Sequence, residues 1–299
     1  MVRHKICPLC SSQKISQFLS CPDHFLTKEV FNIDRCEDCR FIFTQGFPEE
    51  SEAGRYYESE EYISHSDSKK GLTDKAYQFV RKIMLNRKRG IVERTAGLSS
   101  GNILDIGSGT GHFLNSMKDA GWNINGIEIN SKARDYAVSK FGIETIAPDK
   151  IRTLTAGSFD CITLWHVLEH FNEPGKYMEE IEHLLKPDGV VIIALPNSDS
   201  FDSKHYGKNW AAYDVPRHLW HFSPSTFSIF ATKNRFRIIA RRYLPFDVFY
   251  ISILSEKYQG SFSPLLSGTI KGLWFSLRTL FYGSGSSSVI YILRKAASQ

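Results

Sequence analysis

The stretch that decides the fold is Asn102-Ile-Leu-Asp-Ile-Gly-Ser-Gly-Thr-Gly-His-Phe-Leu114. An apolar run ends in closely spaced glycines and passes at once into a helical pattern. The sequence therefore predicts a buried strand over 102–106, a glycine turn, and a helix over 111–120. Glycines permit unusual backbone dihedrals and let a ligand approach the main chain closely. The turn is a candidate ligand-binding loop.

The spacing of these glycines argues against a dinucleotide site. The dehydrogenase fingerprint G-x-G-x-x-G requires its third glycine at position 112, which is His112 in this chain. The strand also ends in Asp105, and a carboxylate there would repel a pyrophosphate but suits a cationic or amine-bearing ligand. A second carboxylate, Glu128, ends the next apolar run and is placed to accept both hydroxyls of a ribose.

Strands and helices alternate along the chain beyond the glycine turn. Strands are predicted at 102–106, 122–128, 159–165, 190–195, 236–243 and 288–294, and helices at 74–95, 111–120, 131–141, 174–185 and 223–234. The helix at 131 is expected to be capped by Ser131. This alternation indicates right-handed βαβ crossovers and a parallel sheet.

Four motifs, in this order, resemble class I S-adenosylmethionine-dependent methyltransferases: the glycine loop, Glu128, the run 158–170 and the run 184–197. The resemblance covers about residues 70–245. It implies an α/β fold with a doubly wound, mostly parallel, seven-stranded Rossmann-like sheet whose last strand is antiparallel. It also implies S-adenosylmethionine as cofactor. The cofactor-binding residues carried over by the resemblance are Asp105, Gly107, Ser108, Gly109, Gly111, Glu128, Ile129 and Trp165.

Five of the six cysteines lie within the first 40 residues. The pattern Cys7-x2-Cys10-x25-Cys36-x2-Cys39 resembles a zinc ribbon, in which two CxxC turns aim four thiolates at one point. We therefore expect a structural zinc ion. The chain is divided into a zinc-ribbon-like module (1–45), a connector with a helical segment (46–98) and a methyltransferase domain (99–299) with an insertion at 244–287.

The segment 199–224 follows the predicted fifth strand, where open α/β sheets keep their ligand crevice. We expect Arg217 to bind an anionic acceptor and His218 to act as general base, with His221 and His166 as rivals. The alternative is that Arg217 and the histidines brace a loop by hydrogen bonds. The sequence leaves both interpretations open.

Residues His166, Glu169 and His170 form a further polar run after the predicted fourth strand. It is similar to an E-x-x-E-H run that binds a divalent metal in ubiquinone-type O-methyltransferases. The first position here is His166 rather than Glu. We therefore expect the run to cap the turn beside the cofactor rather than to hold a metal.

The insertion carries a helical apolar stripe. Its members are Leu266, Ile270, Leu273, Trp274, Leu277 and Phe281. The stripe is expected to cover the core or a dimer partner, or else to make peripheral membrane contact through 263–282. The oligomeric state is left open.

Composition limits the remaining choices of function. Apolar residues make up 42% of the 299 residues, and the formal net charge is +5. Without a dominant basic run or an apolar leader, we expect a cytoplasmic protein with no nucleic-acid partner. The predicted function is methyl transfer to a small molecule or a glycoconjugate such as a nucleotide-linked sugar. A membrane-associated lipid or quinone-type acceptor is the alternative, and a non-catalytic cofactor-binding or RNA-binding module is the alternative of another class.

Overall fold

The computed structural model describes residues 1–57, 72–244, 246–282 and 284–296, with side chains described at all of these except 50, 51 and 72–77. The chain begins with β1 (Ile15–Pro22), β2 (Val30–Cys36), β3 (Ile42–Gln45), α1 (Glu50–Ala53) and α2 (Leu72–Ala96). The central part contains β4 (Asn102–Ile106), α3 (His112–Asp119), β5 (Asn123–Ile127), α4 (Ser131–Phe141), β6 (Phe159–Trp165), α5 (Pro174–Leu184) and β7 (Leu185–Pro196). The last part contains α6 (Phe201–Tyr206), β8 (Trp220–His221), α7 (Pro224–Lys233), β9 (Phe236–Tyr243), α8 (Asp247–Tyr258), α9 (Pro264–Tyr282) and β10 (Ser288–Lys295).

The central sheet confirms the predicted α/β architecture, although it has one strand fewer than predicted. Six strands lie in the order β5-β4-β6-β7-β10-β9, and β10 is antiparallel to both of its neighbours. The place of a seventh strand beyond β5 is taken by a single bridge between Ile127 and Ile146. Pro148 then opens a 3-10 turn, and since proline has no N–H to donate, the ladder cannot extend there.

Two element boundaries also differ from the prediction. Helix α4 begins at Ser131 as expected, but its cap is Asn130, whose side chain accepts a hydrogen bond from the Ala133 N–H. Strand β7 starts at Leu185 and includes the turn-like residues 187–189. The register shifts between Phe159 and Cys161, so the extra residues of β7 are accommodated as an irregularity in the ladder.

A second sheet is antiparallel, in the order β1-β2-β3-β8. Its fourth strand comes from the segment after β7, since Ile42 pairs with His221 and Phe43 with Trp220. The cysteine-rich region also shares its core with the central sheet. Buried side chains from both parts pack in one cluster that includes Cys7, Cys36, Phe41, Phe43, Leu104, Ile106, Leu195 and Trp220. The cysteine-rich sheet is thus joined to the central sheet through the segment that follows β7.

The insertion forms a pair of packed helices, α8 and α9. Gly268 and Gly272 permit the close approach, because a Cβ at either position would lie within 2.8 Å of Ile253 or Phe249. The opposite face of α9 is exposed, with Leu266 at 61%, Trp274 at 59% and Phe281 at 85% exposure. Within the described ranges, no helix is long and apolar enough to cross a membrane.

Candidate functional site

The carboxyl ends of β4 and β5 bring the glycine loop and Glu128 together. The Glu128 carboxylate accepts hydrogen bonds from the Gly109 N–H at 2.7 Å and the Asn130 N–H at 2.8 Å. Gly107 has a φ of +73°, and a Cβ there would lie 2.3 Å from Val167. Only glycine fits at that point of the loop.

Asp105 lies beneath this loop and is almost fully buried. It accepts a 2.6 Å hydrogen bond from the Thr163 hydroxyl. Burial raises the pKa of Asp105 to about 7, although Thr163 and the nearby Lys88 oppose the shift. With this pKa, Asp105 is only partly ionised near pH 7. A cationic ligand bound nearby would stabilise its charged form.

Sequence reasoning missed Lys88, which lies on α2. The Lys88 ammonium lies 4.5 Å from the centre of the Trp165 ring, and burial lowers its pKa while Asp105 and Asp247 oppose the shift. Helical spacing alone could have placed Lys88 near the face of Met84 and Ile91, but nothing in the sequence pairs it with Trp165.

The other predicted cofactor-binding residues are placed as follows. Ser108 is buried, with its hydroxyl 3.4 Å from the Ile127 carbonyl oxygen. Trp165 is also buried and packs edge-on against Phe113. Gly111 caps α3 in a left-handed conformation, and Ile129 is 74% exposed beside Glu128. The predicted cofactor-binding residues therefore lie together at the carboxyl ends of β4, β5 and β6.

His166 follows β6 directly and has an unusual left-handed φ of +59°. Its Nε2 lies 3.0 Å from Asp247 Oδ2, and its Nδ1 lies 3.6 Å from Glu169 Oε1. Burial would lower the pKa of His166, but the two carboxylates outweigh it and raise the pKa to about 9. An imidazolium facing carboxylates through both nitrogens is not the free general base that the sequence allowed.

Arg217 is buried and does not face an acceptor as predicted. Its guanidinium contacts Asp214 at 2.6 Å, Asp23 at 2.9 Å and the Tyr56 carbonyl oxygen at 3.1 Å. The structure therefore matches the second interpretation, in which Arg217 braces a loop. No local signal could have paired Arg217 with Asp23, which lies in the turn after β1.

The two remaining histidines lie on the same loop in different environments. His221 is buried and its Nε2 lies 3.0 Å from the Thr44 hydroxyl. Burial and the neighbouring His218 lower the pKa of His221 to about 3, so its ring is neutral near pH 7. His218 directs its Nδ1 to the Ala212 carbonyl oxygen at 2.8 Å, and its ring meets that of His170 edge to face at 4.5 Å.

The four cysteines predicted to bind zinc converge on one point. Their sulfur atoms all lie within 4.8 Å of one another, with Cys7 to Cys39 and Cys10 to Cys36 both at 3.6 Å. Four thiolates about 2.3 Å from one tetrahedral zinc ion would be about 3.8 Å apart. The backbone N–H groups of Cys10 and Cys39 also point at the Cys7 and Cys36 sulfurs. The arrangement fits a structural metal site.

A glycine loop between two carboxylates, at the carboxyl edge of a sheet with this strand order, defines an S-adenosylmethionine-dependent methyltransferase. Residues 80–240 match the sequence profile of a family described as Methyltransferase domain. Because the match spans more than half of the chain, this protein belongs to that family.

Comparisons with individual proteins agree with the assignment to methyltransferases. Curated relatives include two proteins named ubiquinone biosynthesis O-methyltransferase. The one from Ralstonia nicotianae is 32% identical, over 34% of this chain and 46% of the relative. The one from Actinobacillus pleuropneumoniae is 31% identical, over 36% of this chain and 50% of the relative. The chain thus spans about half the length of the curated relatives it matches.

Two solved structures show the same fold. One, from Galdieria sulphuraria, is described as a sarcosine dimethylglycine methyltransferase, with a TM-score of 0.50 and 16% identity over 74% of this chain and 88% of that one. The other belongs to a complex of the Haloferax volcanii Trm112 methyltransferase activator with a methyltransferase, with a TM-score of 0.51 and 14% identity over 72% and 93%.

Arg217→Ala should lower the free energy of unfolding by about 3–5 kcal/mol, because it leaves the carboxylates of Asp23 and Asp214 without their buried cation. Urea denaturation would measure the loss. The matched control is Arg152→Ala, which removes a pair with Glu180 whose arginine side chain is 81% exposed, and a change below about 1 kcal/mol is expected there. Equal effects of the two variants would contradict the bracing role.

Stability should fall as pH rises, in part because of His166. Its folded pKa of about 9 lies above the unfolded value of 6.5, so its contribution is complete below pH 6.5 and is lost as pH approaches 9. Denaturation at about pH 6 and about pH 9 would show a smaller loss in His166→Gln than in the wild type. If the two proteins lost the same amount, His166 would not be held as a cation.

Proposed function

We propose that this methyltransferase transfers the methyl group to an oxygen of a lipophilic or lipid-linked small acceptor presented at a membrane surface. The observation that carries the proposal is the exposed apolar face of α9, a helix that packs on α8, whose first residue contacts His166. Soluble proteins rarely expose a continuous apolar surface of this kind unless it contacts a partner or a membrane.

The composition of α9 favours a membrane over a second protein. The helix contains no Asp or Glu; of its two cations, Lys271 pairs with Glu256 of α8 at 2.6 Å, and Arg278 lies over the Phe201 ring. Exposed aromatic side chains, Trp274, Phe281 and Tyr282, accompany the leucines on this face. Apolar and aromatic residues with cations beside them are typical of helices that lie in the lipid interface.

The relatives support oxygen as the methylated atom. Proteins about 30% identical to this chain are named ubiquinone biosynthesis O-methyltransferases, and a quinone-type acceptor is apolar enough to reside in a membrane. The insertion is joined to the cleft through Asp247, the first residue of α8, which contacts His166. An acceptor leaving the membrane along α8 would reach that end of the cleft.

We infer the roles of the chain's own residues from their placement. The cofactor supplies an activated methyl group when bound, so the protein has mainly to hold donor and acceptor in line. Glu128 is suited to hold the ribose of the cofactor, and the loop glycines are suited to hold its methionine part. Asp105 would face the positively charged part of the cofactor. The Trp165 ring, which Lys88 covers, offers a π face that favours cations.

A second candidate acceptor is a soluble glycoconjugate such as a nucleotide-linked sugar. It is favoured by polar groups buried near the end of β7: Asp202 Oδ1, Ser287 Oγ and Ser288 Oγ make no hydrogen bond of good geometry in the described part of the chain, although Ser287 lowers the pKa of Asp202 and Ser288 that of Asp247. Such groups are costly unless a ligand or water satisfies them, and a hydroxyl-rich acceptor would do so.

For the cysteine-rich sheet, we infer a structural zinc ion held by Cys7, Cys10, Cys36 and Cys39. The spacing of the sulfur atoms supports this assignment. Four thiolates leave no open coordination position, so the ion would stabilise the ribbon rather than take part in the reaction.

Glu128→Ala should weaken S-adenosylhomocysteine binding about 5- to 150-fold, corresponding to about 1–3 kcal/mol for ribose hydroxyls left without an acceptor. Titration calorimetry would measure the affinity. Glu144→Ala is a suitable control, because Glu144 lies after α4 and outside the loop. Unchanged affinity in Glu128→Ala would remove Glu128 from the cofactor site.

The membrane contact can be tested with vesicles of phosphatidylcholine and phosphatidylglycerol. Wild-type protein should sediment with them, and Leu273→Glu and Trp274→Glu should each lower the partition coefficient about tenfold or more, because apolar burial is lost. Ile229→Glu, at another exposed apolar position, is the control. Absence of wild-type binding would overturn the proposal, as would a dimer in solution that Leu273→Glu dissociates.

A further inference from the structure

A second group of metal-ligating side chains, apart from the cysteines, lies where the turn after β6 meets the loop before β8. One ligand atom each from Glu169, His170 and His218 lies within 4.8 Å of the others. Glu169 and His170 belong to the 3-10 turn Leu168–His170 after β6, whereas His218 comes from the loop that leads into β8. Two distant segments therefore converge here.

Both histidines are oriented as metal ligands usually are. His170 Nδ1 lies 3.0 Å from the Arg217 carbonyl oxygen, and His218 Nδ1 lies 2.8 Å from the Ala212 carbonyl oxygen. A carbonyl oxygen can only accept a hydrogen bond, so Nδ1 must carry the proton in each ring. The lone pair is then on Nε2, and metal-bound histidines are commonly fixed in this way.

Glu169 supplies an independent sign of a missing ligand. Its side chain is fully buried, and neither carboxylate oxygen has a hydrogen-bond partner among the described residues. The nearest charged group with a stated distance, His166 Nδ1, is 3.6 Å from Oε1, which is too far for a hydrogen bond. The His166 imidazolium therefore compensates part of the Glu169 charge, but both carboxylate oxygens keep lone pairs that a metal could accept.

We propose that Glu169, His170 and His218 form a binding site for a divalent cation. Imidazole and carboxylate ligands together select ions such as zinc, cobalt, nickel or iron(II), and a two-histidine, one-carboxylate set does not favour magnesium or calcium. Ligands about 2.1 Å from one ion lie about 3–4 Å apart, so only a small closing of the three side chains is needed.

The ligand set is not the polar run that the sequence displayed. His166, the first residue of that run, lies between Asp247 and Glu169, with its Nε2 3.0 Å from Asp247 Oδ2, and is not part of the cluster. Its place is taken by His218, which we therefore assign as a ligand rather than as the general base predicted from the sequence. Three protein ligands leave coordination positions open, and a small cavity lined by Tyr57, Pro216 and Arg217 adjoins His170.

The proposal does not depend on which acceptor is correct, and cobalt(II) tests it without one. Protein whose ribbon is saturated with zinc should bind one further equivalent of cobalt, with d–d absorption but no thiolate charge-transfer bands. Glu169→Gln and His218→Asn should each weaken this binding at least about tenfold. His183→Asn, at an exposed histidine on α5, should leave it unchanged.

Calorimetry with S-adenosylhomocysteine would show that each variant remains folded. Loss of cobalt binding in both variants with retained cofactor affinity supports the site. Charge-transfer bands from the added cobalt, equal affinity in wild type and variants, or no binding beyond the ribbon would each overturn it. Magnesium should not compete at millimolar concentration, and competition would contradict the assigned ligand chemistry.

Discussion

The packing of the loop 214–221 against the cysteine-rich sheet depends on one buried cation. Arg217 is 3% exposed and lies between Asp23 and Asp214, which come from the ribbon and from its own loop. Burial alone would lower the pKa of Arg217, but the two carboxylates outweigh it and raise the pKa. A buried ion pair is a weak source of net stability but a strong constraint on geometry, since either partner left alone is costly. The pair therefore fixes the loop and the ribbon relative to each other.

The ribbon is also hydrogen-bonded to the loop that carries Arg217 and His218. Thr44 of β3 donates its hydroxyl to the His218 carbonyl oxygen and also contacts His221. Strand β8 extends the ribbon sheet with residues of the same loop. Any change that loosens the four-cysteine cluster would be transmitted to His218 through these bonds. A metal in the ribbon would thus stabilise the loop that carries His218.

The sequence predicted the part of the fold that local patterns encode. Strands β4, β6 and β9 have the predicted bounds, because continuous or alternating apolar runs end at glycine or polar turns, and Glu128 meets the glycine loop as expected. What it missed depends on contacts between distant segments. Asp23 with Arg217, Asp247 with His166, and Lys88 over Trp165 each join residues at least 77 positions apart. No periodicity or spacing carries that information.

Electrostatics at the carboxyl edge of the sheet connects these long-range contacts to the reaction. Asp105, Glu128, Glu169 and Asp247 are carboxyl groups that meet there, and His166 and Lys88 are the cations beside them. Burial raises the pKa of Asp105 to about 7, and Glu128 adds to this increase while Thr163 and Lys88 oppose it. A positively charged ligand at that edge would restore the charged form of Asp105, since an opposite charge nearby favours ionisation. This edge of the sheet is therefore better matched to a cationic ligand than to a neutral one.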